Sequence, residues 1–305
     1  MERAEFISGK KNTEHKLIVI AGATASGKTD LSIKLALQFQ TEIISADARQ
    51  FYREMNIGTA KPDVEQLKMV KHHFINSLSI QDDYSAGKFR EDVLNILKKL
   101  FEKVNTVIMV GGSGLFIRAV LNGFDEIPET SIEAKKKINE LYNTQGLVGL
   151  QELLKQLDSE YFKEVDIQNP YRLQRALEIC ISSGKPFSSF RKGARVENDF
   201  NVDYFVVNLE REELYKRIND RVDGMMKSGL LEEAKSLYSF SKLNALNTVG
   251  YKELFEYLDN RISLDKAIDL VKQHTRNYAK RQLTWYRKEA NAQWKTKEEI
   301  HKIFS

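Results

Sequence analysis

Leu17-Ile18-Val19-Ile20-Ala21-Gly22-Ala23-Thr24-Ala25-Ser26-Gly27-Lys28-Thr29 is the stretch whose reading decides the fold. Its first five residues are an apolar run with β-branched members, which reads as a buried strand. The next eight match G-x-x-x-x-G-K-[ST], and Leu31, Ile33, Leu35, Ala36 and Leu37 then set a helical pattern. Strand, glycine loop and helix form the context that this phosphate-binding motif requires. Gly22 and Gly27 reach backbone angles that a Cβ would resist. Loop amides can then point inward at a phosphate, aided by the positive end of the following helix. Lys28 adds a mobile charge, and the Thr29 hydroxyl is suited to ligate Mg²⁺. The motif specifies a di- or triphosphate, but neither the compound nor its fate.

Outward from that loop, a short strand over 42–45 ends at Asp47-Ala48-Arg49-Gln50, residues 58–62 form a turn, and 72–75 form another short strand. A helix over 86–103 carries Phe89, Val93, Leu94, Leu97 and Leu100 on one face. The clearest buried strand, 106–110, runs into Gly111-Gly112-Ser113-Gly114 and a helix from Leu115. This alternation predicts an α/β fold, a P-loop parallel sheet flanked by helices. Ligands in such sheets gather at the carboxyl ends of the strands, so Ser26, Asp47 and Ser113 are expected in one crevice. From 128 to 193 the pattern is helical throughout, with helices over 132–142, 147–157 and 171–182. The chain therefore divides into a core of 1–122 and 195–305 and an all-helical insertion of 123–194. A strand over 204–209 rejoins the sheet, 212–227 is helical, and the tail is helical to about residue 291. Residues 1–15 read as a loose leader.

Composition narrows the class. The chain has 305 residues, 42% hydrophobic and 30% charged, as soluble globular proteins do. No apolar run is long enough to span a membrane and the N-terminus is polar, so the expectation is a cytoplasmic protein with no membrane contact. The single cysteine, Cys180, excludes an internal disulfide and a cysteine zinc cluster, and its isoleucine neighbours mark it as a buried small hydrophobe. A net charge of only +4 means that any nucleic-acid surface must be local.

Asp47, at the end of the second strand, could hold Mg²⁺, accept a proton, or cap a helix. The best apolar strand ends in Gly-Gly-Ser rather than Asp, which argues against a motor ATPase or switch GTPase. His72 and His73 point to opposite faces of a strand, so the pair reads as structural rather than metal-binding. Arg217 and Arg221 share a helix face, and one of them could reach a diphosphate. Lys135, Arg172 and Arg175 read first, on spacing alone, as a solvated helix surface. Residues 272–288 hold six Lys/Arg and no Asp or Glu. Lys272, Arg276 and Lys280 form one stripe, with Tyr278, Trp285 and Tyr286 interleaved, a pattern suited to a phosphate backbone.

Several stretches coincide with one family. GATASGKT (22–29), SADARQFYREMNIGTAKP (45–62), HH (72–73), YSA (84–86), VGGSGL (110–115), RLQRALE (172–178), VGYK (249–252) and TRNYAKRQLTW (275–285) resemble the bacterial tRNA dimethylallyltransferases, or tRNA isopentenyltransferases. The resemblance implies transfer of a dimethylallyl group from dimethylallyl diphosphate to N6 of the adenosine 3′ of the anticodon, position 37, releasing diphosphate. It implies Asp47 as base, with Lys28, Arg221, the loop Gly22-Ala23-Thr24-Ala25-Ser26-Gly27-Lys28-Thr29 and Mg²⁺ on Thr29 stabilising the leaving group. Ser113 would help to hold diphosphate or amine. Contacts to a tRNA anticodon stem-loop would come from Asp47, Ala48, Arg49 and Gln50, from Ser113, and from Lys135. Tyr171, Leu173 and Gln174 with Arg172 and Arg175, and Asn247, Thr248, Val249, Gly250, Tyr251 and Lys252, would complete them. The insertion would grip the RNA, and the protein would act as a monomer. Because the family's loop is also regarded as nucleotide-binding, ATP is a further candidate ligand. The family often has Pro at 23, Ser at 48 and Thr at 113. Ala48 removes a hydroxyl beside the base, so any contact there must be made by backbone. A P-loop nucleotide or nucleoside kinase and a non-catalytic RNA-binding ATPase share the phosphate loop and stand as alternatives.

Overall fold

The structure, a computed structural model, describes residues 14–191, 193 and 197–305. The expected leader falls, over 1–13, outside the described residues, as does the expected boundary at 194–195. His15, placed in that leader by the sequence, instead stacks on Phe101 with ring centres 4.6 Å apart.

The described residues build one parallel sheet from β1 (Lys16–Ala21), β2 (Ile43–Ser45), β3 (His72–His73), β4 (Thr106–Gly111), β5 (Asn201–Val207) and β6 (Gln293–Lys295), in the order β3-β2-β4-β1-β5-β6. β1 is central, paired with β4 from Lys16↔Thr106 to Ala21↔Gly111 and with β5 on its other side. Alternation along the strands assigns the two faces. Leu17, Val19, Val107, Met109 and Val206 share one core with Phe89, Val93 and Leu97. Ile18, Ile20, Ile108, Val110 and Phe205 share another with Leu31, Leu35 and Ile300.

Helices α1 (Lys28–Gln38), α2 (Val64–Met69), α3 (Ala86–Phe101) and α4 (Gly114–Asn122) alternate with the first strands. Then come α5 (Ile132–Leu157), α6 (Ser159–Glu164) and α7 (Pro170–Ser183), and after β5 come α8 (Arg211–Lys227), α9 (Leu230–Leu237), α10 (Tyr251–Leu258), α11 (Leu264–Tyr286) and α12 (Lys297–Phe304). The chain divides into two compact units, Met1–Leu121 with Asn198–Ser305, and Asn122–Glu197. Among its described residues the second holds helices and no strand, and it has its own core of Ile138, Leu150, Leu154, Leu173 and Leu177.

Several boundaries differ from the sequence reading. The strand expected over 72–75 stops at His73, because Phe74 turns into the left-handed region at φ 63°. The strand expected over 204–209 starts earlier and ends at Val207. The helices expected at 132–142 and 147–157 run on as α5 across a kink at Gly146, where φ 64° and ψ −153° interrupt the helix. The tail does not end as helix near 291: β6 adds an edge strand and α12 packs Ile300 under α1. Among the described residues no helix is long and apolar enough to cross a membrane.

Candidate active site

The phosphate loop leaves β1 and enters α1 through Gly27, whose φ of 83° supplies the left-handed start of the helix. Ala25 also takes positive φ, 63°, a conformation that a non-glycine residue holds only when its surroundings fix it. The Lys28 ammonium is buried and donates to the Ala23 carbonyl at 2.6 Å. Burial lowers its pKa to about 8, against the raising effect of Asp47. Asp47 follows β2, and its Oδ1 accepts the Arg49 N–H at 3.2 Å. Burial holds its carboxyl above the usual range, while Lys28, Arg49 and Arg221 act against that rise. Arg221 on α8 donates to the Thr24 hydroxyl at 3.3 Å, and burial lowers its pKa too.

These groups meet in a cleft of about 310 Å³ at the carboxyl end of the sheet, lined by Thr24, Lys28, Thr29, Asp47, Gln50 and Arg221 among others. A carboxylate with raised proton affinity faces two cations and the loop. One end can therefore take a proton while the other neutralises an anion. Arg217, one turn from Arg221, pairs with Glu213 at 2.7 Å instead and lines a different cavity. Thr29 lines the same cleft as Asp30 and Asp47. Such oxygen donors fit Mg²⁺, which is commonly held by one or two protein oxygens plus waters and substrate phosphates. Among the described residues no group of three or more His, Cys, Asp and Glu could hold a metal by itself. His72 bonds the Val70 carbonyl at 2.8 Å through Nδ1, and His73 meets Glu42.

Ser113 is not among the residues lining the cleft. Its Oγ accepts the Ala48 N–H at 2.9 Å, so the contact at position 48 is made by backbone. Gly22 and Ala23 are likewise absent from the lining, and Ser26, its hydroxyl buried without a partner, lines the other cavity with Arg217. Arg49 is tied to the Asn244 and Ala245 carbonyls at 3.1 and 3.0 Å. Gln50 donates to the Thr59 and Ala60 carbonyls.

The RNA-contact set splits by burial. Leu173 and Tyr251 are fully buried core positions within the motifs, so neither can touch RNA by its side chain, and the Gly250 backbone beside Tyr251 is buried as well. Asn247 and Lys252 are exposed, and Thr248 and Val249 half-buried. In the helical unit Tyr171, 76% exposed, stands with exposed Arg172 and Arg175 at the start of α7, while Gln174 bonds Asn139 and Lys135 is exposed on α5. The basic stripe also needs correction. Lys272 pairs with Asp223 at 2.6 Å and Arg276 bonds Asn219 at 2.7 Å, both on α8, whereas Lys280 and Arg281 remain exposed. Tyr286 is fully buried and fills the core, and Trp285, half-buried, packs against that core beside Gly114.

Sequence reasoning missed Gln282, Lys61 and Glu233 as site residues, and gave Tyr278 to the basic stripe rather than to the site. Gln282, on the buried side of α11, bonds both the phosphate loop and the Gly112 turn. The Tyr278 hydroxyl is buried beside Asp47, whose charge adds to burial in raising its pKa. Lys61 lines the cleft and donates to the Tyr52 carbonyl, Asn56 and Asn76, with burial lowering its pKa to about 8. Glu233 on α9 accepts the N–H groups of Asn56, Ile57 and Gly58 and the Tyr251 hydroxyl, holding the loop that carries Thr59 and Lys61. All but Glu233 lie within stretches that carried the family resemblance, which was the available signal.

Comparison with known proteins bears on the whole chain. The IPP transferase family model matches residues 50–289. A tRNA dimethylallyltransferase of Christiangramia forsetii is 51% identical over 91% of this chain and 92% of its own length. The crystal structure of the full-length tRNA isopentenylpyrophosphate transferase from Bacillus halodurans superposes with a TM-score of 0.70 at 34% identity, covering 95% of each chain. A eukaryotic dimethylallyltransferase captured acting on tRNA gives 0.73 at 28% identity, over 89% of this chain and 69% of that one. With a family model over most of its length and a relative 51% identical over 91% of it, the chain belongs to the IPP transferase family.

Proposed function

We propose that this protein transfers the dimethylallyl group of dimethylallyl diphosphate to N6 of adenosine 37 in tRNA, releasing diphosphate, as a cytoplasmic monomer. The observation that carries the reading is the cleft itself, in which Asp47 shares a desolvated space with Lys28 and Arg221. An exocyclic adenine amine is a poor nucleophile, because its lone pair is delocalised into the ring. As the bond from N6 to C1 of the prenyl unit forms, the C1–O bond breaks and its electrons leave on diphosphate. The N6 proton passes to the Asp47 carboxylate, a role typically worth about 10²–10⁴ in rate. Lys28, Arg221 and the loop amides stabilise the departing charge in a site sheltered from water. Ser113 acts one step back, fixing the backbone of Ala48 beside the base. Thr29, with the diphosphate oxygens, would hold Mg²⁺, which supplies further neutralisation of the leaving group when bound. The target base must leave its stack to enter the cleft, which a single-stranded anticodon loop makes easier. Exposed Tyr171, Arg172, Arg175, Lys135, Asn247 and Lys252 are the side chains assigned to the RNA.

The kinase reading shares the loop but gives no role to Asp47 as base toward an RNA amine, and the relatives named above favour prenyl transfer. Incubating the protein with labelled dimethylallyl diphosphate, ATP and unmodified tRNA separates the readings. Label should appear on N6 of adenosine without ATP consumption. ATP turnover with unlabelled RNA would overturn the proposal.

A further inference from the structure

Beyond Ala21↔Gly111 the pairing of β1 with β4 ends, and the sheet no longer spaces the two chains. Gln282 takes over at that point. Its Oε1 accepts the Thr24 N–H of the phosphate loop at 2.9 Å, and its Nε2 donates to the Gly112 carbonyl at 2.8 Å. The Gly112 turn leads into Ser113, which holds the backbone next to Asp47. One buried carboxamide thus links the loop assigned to diphosphate with the segment that carries the base. The turn is shaped for it: a Cβ on Gly112 would lie 2.4 Å from Nε2, and one on Gly114 would lie 2.3 Å from the Trp285 indole on the same helix.

We propose that Gln282 is a positioning residue for the transfer, setting the distance between the phosphate loop and the base-bearing segment without touching either reacting atom. The inference rests on diphosphate binding at the phosphate loop. Each substrate keeps its own binding groups when Gln282 is lost, so affinity survives while alignment slackens. A misplacement of about 1 Å can lower a rate by roughly 10²-fold.

Gln282→Ala is therefore expected to lower kcat per titrated active site by about 30- to 100-fold. The KM for dimethylallyl diphosphate and the Kd for tRNA should stay within about threefold. A purely structural role would lower the melting temperature and the fraction of active sites, leaving kcat per site unchanged, and that result overturns the proposal. Gly112→Ala, which pushes on Nε2 without removing it, should reproduce the kcat loss, and it carries the test alone if Gln282→Ala folds poorly. The double variant should be no slower than the worse single, because both break one contact; multiplied losses overturn the assignment. Calorimetry with inorganic pyrophosphate on wild type and Lys28→Ala runs alongside. If Lys28→Ala binds pyrophosphate as wild type does, the diphosphate reading itself falls, and the positioning role falls with it. If Lys28 matters and Gln282→Ala keeps full kcat, only the positioning role falls.

Discussion

Burial moves Asp47 and Lys28 toward each other in proton affinity, raising the first and lowering the second to about 8. The reaction needs Asp47 without its proton and Lys28 with its own. In the free enzyme kcat/KM should therefore be bell-shaped. It should fall at low pH through an apparent pKa above the ordinary carboxylate value as Asp47 is protonated, and fall again near pH 8 as Lys28 loses charge. Rates of prenyl transfer across pH 5–9 at low dimethylallyl diphosphate would check this, and a flat profile through pH 8 would remove Lys28 from that limb. Asp47→Asn should lower kcat by about 10²–10⁴. Because it also removes a negative charge beside the anion loop, pyrophosphate should bind as tightly or more tightly, which calorimetry reads directly. Lys28 was legible from the loop motif, whereas Asp47 and Arg221 were singled out by the family resemblance, since spacing alone left Arg217 level with Arg221. Gln282 was not legible, since its partners lie 258 and 170 residues away and nothing in a basic helix marks one glutamine as buried. Leu173 and Tyr251 fail in the opposite sense: a motif names a residue without telling whether it faces solvent or core.

At the scale of elements, the long periodic ones were readable and the short ones were not. β1, β4, α3 and α8 announce themselves by apolar runs or spacing, whereas β6 has three residues and α2 six, too few for a period to register. α2 nevertheless carries a capping box, with Asp63 and Gln66 exchanging hydrogen bonds, which is a signal of its N-terminus. α9 shows how an element far along the chain shapes the cleft. Through Glu233 it holds three consecutive amides of the 56–58 loop and the Tyr251 hydroxyl of α10. Glu233→Ala leaves those donors without their carboxylate and should destabilise the unit by about 2–4 kcal/mol. Glu233→Gln should recover only part of the loss, because its amide nitrogen presents a donor to N–H groups. Both tryptophans, Trp285 and Trp294, lie in the same unit as Glu233, so indole fluorescence in urea follows that unit. An unchanged midpoint would show the clamp to be dispensable.

The whole molecule is two folding units with separate cores, and the phosphate loop, Asp47, Arg221 and Gln282 all belong to the first. The second interrupts that unit between Leu121 and Asn198, two residues joined directly by a hydrogen bond from Asn198 Nδ2 to the Leu121 carbonyl at 2.7 Å. A short Gly/Ser linker can therefore replace the helical unit without stretching the core, and every residue of the Leu17–Val206 cluster belongs to the first unit. The variant should unfold cooperatively by indole fluorescence and bind pyrophosphate within about threefold of the full chain, because every group of the anion site remains. It should lose tRNA affinity by about tenfold or more, since Lys135, Arg172 and Arg175 go with the deleted unit and each phosphate contact contributes through counterion release. The slope of log Kd for tRNA against log salt should shrink in the same variant. Retention of full tRNA affinity and slope would move RNA recognition entirely onto the core, to Asn247, Lys252, Lys280 and Arg281. Loss of pyrophosphate binding would mean that the anion site needs the helical unit for its own order.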